Sequence, residues 1–108
     1  MKLKMIEEAM QLVHDKIDHL NFPDLMFLCR EAIGMKQYKA SEFLKISLAR
    51  VKNLETGNFR DMPPPYQVKA FALLYGIEYK VLVHKAKKYV ESRVLSRKVK
   101  VFENDESL

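Results

Sequence analysis

The chain has few strong helix breakers, and their positions constrain its fold more than any other feature. Glycine occurs only at 34, 57 and 76, and proline only at 23 and 63–65. Each interrupts a run whose apolar residues recur at three- and four-residue intervals, the period of one helix face. The "NFP" at 21–23 ends a first run, because a residue before proline is driven away from helical angles. Pro23 suits the first turn of a new helix that runs to about Ile33, with Gly34 as its stop. A helix from Lys36 or Gln37 to Leu44 follows, with Ala40, Ser41 and Leu44 on its inward side. After a tight connection through Lys45 and Ile46, Ser47 is a good N-cap for a helix over 48–55, which Gly57 terminates. "GNFRDMPPPYQ" (57–67) is the extended loop, and its last proline can open a helix. Val68, Phe71, Ala72 and Leu74 mark that helix, which ends at Gly76. Another begins near Glu78 and runs past Val94.

The segment before the first break carries Leu3, Ile6, Met10, Val13, Ile17 and Leu20. This is a heptad-like seam that suits either packing on the chain's own domain or dimerisation. At the other end, residues 80–100 hold eight Lys or Arg against one acid, Glu91. "KVKVF" (98–102) alternates polar and apolar residues, a strand signal, and the acidic "ENDESL" reads as a frayed tail. The expected organisation is all-α: an amphipathic helix over 1–21, a core over 22–83, and a basic extension over 84–108. At 108 residues this is one domain's worth of chain, with a net charge of +5 that favours a polyanionic partner. No apolar run approaches a membrane span, acids come too early for a secretory signal, and the single Cys29 fits a reducing, cytoplasmic compartment.

Two short helices joined by a three- to four-residue turn can pack closely when their contact faces are small and apolar. Here Ala40 and Leu44 face Val51 and Leu54 across Ile46, which leaves the outer N-terminal face of the 48–55 helix free to enter a major groove. "GMKQYKASEFLKISLARVKNLETG" (34–57) resembles, without a gap, the core of the lambda-repressor-like helix-turn-helix proteins, also called the XRE family. "AFALLYGIEYKVLV" (70–83) is similar to that family's fourth helix, glycine turn and fifth helix. The resemblance spans roughly 23–83. Ser41 stands where the family commonly has alanine, and Lys45 where it commonly has a turn glycine.

The resemblance implies a five-helix core, here with an extra N-terminal helix and an extended basic C-terminal one. It implies that Leu48, Ala49, Arg50, Lys52 and Asn53 contact bases, and that Gln37, Asn58 and Arg60 contact phosphates. Their chemistry suits those roles: Lys52 fits guanine O6 and N7, Asn53 fits adenine, and Leu48 or Ala49 can meet a thymine methyl. It also implies an ion pair between Arg30 and Glu55. The function expected is a prokaryotic or phage transcription regulator, a homodimeric repressor that blocks a promoter by occupying a double-stranded operator. The rivals are an antitoxin that binds both DNA and a toxin partner, and a module used only for protein–protein contact. No catalytic, cofactor or metal constellation stands out: His14, His19, His84 and Cys29 lack ligand spacing, and phosphate-loop and nucleophile-elbow motifs are missing.

Overall fold

The computed structural model describes residues 2–106, with side chains from 4 to 96. Six α-helices make up the fold, with no strand among the described residues: α1 (Lys2–Lys16), α2 (Phe22–Ala32), α3 (Gln37–Leu44), α4 (Leu48–Thr56), α5 (Pro65–Tyr75) and α6 (Tyr79–Glu106). A short 3₁₀ turn, Ile17–His19, ends α1.

The central element is α2, which packs against α1, α4 and α6. Asn21 caps it by accepting from the Asp24 N–H at 2.9 Å, and Pro23 occupies its first turn. Phe22, Leu25, Met26 and Cys29 are wholly buried. Burying side chains of the size of Phe22, Leu25 and Met26 contributes about 1.5–3 kcal/mol each. Val51 and Leu54 of α4, Val68 and Phe71 of α5, and Leu82 and Ala86 of α6 join them in the core.

The seam is internal from Met10 to Leu20. Val13 is buried, and Met10, Ile17 and Leu20 pack against the same core, so this part of the stripe is occupied by the chain's own domain. Leu3 lies outside the residues whose side chains are described.

The helix expected from near Glu78 past Val94 is α6, continuous from Tyr79 through Glu106. The basic C-terminal region departs from the sequence reading in two ways. The alternating 98–102 segment is helical, not extended. The tail stays helical through Glu106, and 107–108 lie outside the described residues. The reason is local context. Once a helix is nucleated, each further residue costs little, and no glycine or proline follows Gly76 to stop it.

Candidate nucleic-acid interface

Helices α3 and α4 meet through Lys45–Ser47. The Lys45 backbone is left-handed, with φ 56° and ψ 41°, and is the non-glycine residue with positive φ among those described. Its N–H bonds to the Ser41 and Glu42 carbonyls, and the Ile46 N–H returns to the Ser41 carbonyl at 3.1 Å. The turn therefore has the shape a glycine would favour, built with a lysine. Ser47 then caps α4, accepting from the Arg50 N–H at 3.0 Å. Ala40 and Leu44 are buried as expected, while Ser41 is half-buried, its hydroxyl donating to the Tyr38 carbonyl at 2.7 Å.

Val51, Leu54 and Glu55 form the buried stripe of α4. At roughly 100° per residue, Ala49, Lys52, Asn53 and Thr56 fall on the far side. Ala49 and Lys52 are exposed, Asn53 is half-buried, and Leu48 is 38% exposed at the start of the helix. Arg50 differs from the others: it is half-buried, and its Nε donates to Gln67 Oε1 of α5 at 3.4 Å. That contact draws it to the flank of the face.

Behind α4 lies a buried polar network. Arg30 and Glu55 pair in a fork, with Nε to Oε2 at 2.7 Å and Nη2 to Oε1 at 3.0 Å. Arg30 Nη1 donates to the Met35 carbonyl at 2.8 Å, and Gln37 Nε2 donates to Glu55 Oε1 at 3.2 Å. The hydrogen bond to Glu55 is the main influence on Arg30 and raises its pKa despite the opposing effect of burial. Gln37 thus buttresses α4 with one amide N–H and keeps a second for an outside acceptor. The chain of contacts ties the end of α2, the start of α3 and the end of α4 into one frame.

The loop after α4 is anchored by Phe59, which is buried between Phe22 (centroids 5.8 Å apart, edge-on) and Tyr89 (5.1 Å). Asn58 and Arg60 flank that anchor and are exposed. The Asn58 N–H returns to the Asn53 carbonyl at 2.9 Å, so this corner is fixed to α4.

Two residues of this corner escape a sequence reading. Tyr89 donates to the Gly57 carbonyl at 2.8 Å, and Arg93 donates to the carbonyls of Gly57 and Phe59, the latter at 2.9 Å. They stand more than thirty positions along the chain from their acceptors, beyond the reach of local spacing. The three histidines are exposed, and no group of His, Cys, Asp or Glu suited to a metal occurs among the described residues. No helix among the described residues is long and apolar enough to cross a membrane. Comparisons with family models, curated proteins and solved structures found nothing that matches the chain.

Proposed function

We propose that the chain is a lambda-repressor-like helix-turn-helix protein that binds double-stranded DNA in a sequence-specific way and acts as a small dimeric repressor. The observation that carries this reading is the outer face of α4. Ala49, Lys52 and Asn53, with Leu48 at its edge, face away from the core on a helix whose other side is locked by Val51, Leu54 and the Arg30–Glu55 fork. A helix held from behind and polar in front suits insertion into a major groove, where lysine, asparagine and small apolar groups read base edges. Gln37 at the start of α3 and the exposed Asn58 and Arg60 after α4 are the candidates to hold phosphates, which fix register without reading sequence. A single short helix offers few base contacts, so a two-fold dimer on two half-sites is the natural way to double them. The exposed Val94 and Leu95 of α6 supply apolar surface for it. Occupying a promoter would then exclude polymerase.

The test separates readers from grips. Asn53→Ala and Lys52→Ala each weaken binding to the best site by about 1–3 kcal/mol and relax preference at one or two base pairs. Arg60→Ala weakens all duplexes alike and lowers the salt slope by about one unit per lost contact. Titrations of the selected site, its single-base variants and a scrambled duplex at two salt concentrations distinguish these outcomes. Uniform weakening by the Lys52 and Asn53 variants overturns α4 as the reader.

A further inference from the structure

We infer that Tyr89 and Arg93, on α6 and outside the helix-turn-helix segment, are positioning residues that fix the loop carrying Asn58 and Arg60. The inference rests on the DNA-binding reading above, and it assigns α6 a part in that reading. Successive turns of one stripe of α6 reach across the domain. Lys85 Nζ donates to the Leu20 carbonyl at 2.7 Å, the Tyr89 hydroxyl to the Gly57 carbonyl at 2.8 Å, and Arg93 to the carbonyls of both Gly57 and Phe59.

The acceptors have a clear electrostatic demand. Gly57 is the C-cap of α4, where the last carbonyls lack helical partners and carry the negative end of the helix dipole. A guanidinium is a good partner there, since its planar fork offers several donors to two carbonyls at once.

The steric fit points the same way. Gly57 has φ 82°, a conformation that disfavours side chains. A Cβ placed there would also overlap the Tyr89 hydroxyl oxygen. Position 57 is therefore committed twice, once to ending α4 and once to admitting Tyr89. Phe59, packed at a tilt against the same tyrosine ring, is clamped from its side chain and its carbonyl together. With 57 and 59 both fixed, the backbone at 58 and 60 has little freedom left, and these are the positions proposed to meet phosphate.

The inference predicts coupling between residues that do not touch. In Arg93→Ala, backbone ¹⁵N relaxation of the DNA-free protein shows mobility rising at 58–60 while α2 and α4 stay rigid. Tyr89→Phe, which keeps the ring and removes only the hydroxyl, gives a smaller rise at the same residues. DNA affinity of Arg93→Ala falls by about tenfold on all duplexes, the scale of one charged hydrogen bond. In an Arg60→Ala, Asn58→Ala background the same substitution has little further effect, because the contacts it positions are already gone. Unchanged mobility at 58–60 in Arg93→Ala overturns the clamp, whatever the DNA result. A lowered salt slope on adding Arg93→Ala to that background shows that Arg93 grips phosphate itself, which also overturns the positioning role. If the wild type binds no DNA while Arg93→Ala still loosens 58–60, the clamp stands as loop chemistry and the DNA-binding reading falls.

Discussion

Removing either member of the Arg30–Glu55 pair is predicted to be costly, and by unequal amounts. Both side chains are nearly sealed from solvent, at 8% and 3% exposure. Stripping one partner from such a pair leaves a buried charge and typically costs about 3–5 kcal/mol. At about 4 °C per kcal/mol for a domain of this size, the melting temperature falls by roughly 12–20 °C. The contacts of the surviving partner set the order. Glu55→Ala leaves the Arg30 guanidinium with the Met35 carbonyl at 2.8 Å and Glu31 Oε1 at 3.4 Å. Arg30→Ala leaves the Glu55 carboxylate with the Gln37 amide at 3.2 Å and no cation. Arg30→Ala is therefore the more damaging change. Replacing the pair together, as Arg30→Met with Glu55→Leu, restores an apolar fit and is milder than either single loss. Thermal denaturation of the four proteins measures this directly. Either single variant melting with the wild type, or the double variant losing the sum of the two single losses, refutes the reasoning.

Three further outcomes follow from the backbone and the core. Lys45→Gly relieves a left-handed lysine and raises the melting temperature, by up to about 1 kcal/mol of stability after the extra chain entropy of glycine is counted; a lower melting temperature contradicts the turn geometry. Gly57→Ala lowers stability by more than the roughly 1 kcal/mol of the left-handed strain, because its Cβ also collides with Tyr89, and a loss that Tyr89→Ala fails to relieve contradicts the clash. Cys29 is unreactive to a thiol reagent in the native protein, since burial pushes its pKa up to about 12. The raised folded value means that its contribution is intact below the unfolded value of 9.0 and fades as pH climbs toward about 12, so Cys29→Ala flattens the alkaline loss of stability seen in denaturant midpoints.

The lengths of α2 to α5 were legible because their ends are written in single residues. Pro23, Ser47, Gly57, Pro65 and Gly76 each perform at a helix terminus the task their chemistry suggests. The α3–α4 packing was legible too, since Ala40, Leu44, Val51 and Leu54 show helical spacing without needing any distant partner. The course of α6 was not. Its alternating valines near 100 have β propensity, and a short window cannot weigh that against a helix arriving from upstream. The role of Arg93 was hidden for a different reason. It sits in a run of cations that reads as a diffuse charge, and only the folded chain brings this one to the Gly57 and Phe59 carbonyls. The leaning of Arg50 onto Gln67 was equally invisible, because the two residues lie on different helices that only the fold brings within reach.

Selection of bound duplexes from a random library by the full chain reads binding, base preference and half-site spacing together. The expected outcome is enrichment of an inverted repeat with half-site centres about one helical turn, roughly 10 base pairs, apart. Asn53→Ala and Lys52→Ala then relax the same one or two positions in each half-site, whereas Arg60→Ala enriches the unaltered sequence with lower yield. A library that emerges unenriched, or a site that the Asn53 and Lys52 variants select as stringently as the wild type, contradicts the claim that α4 reads DNA.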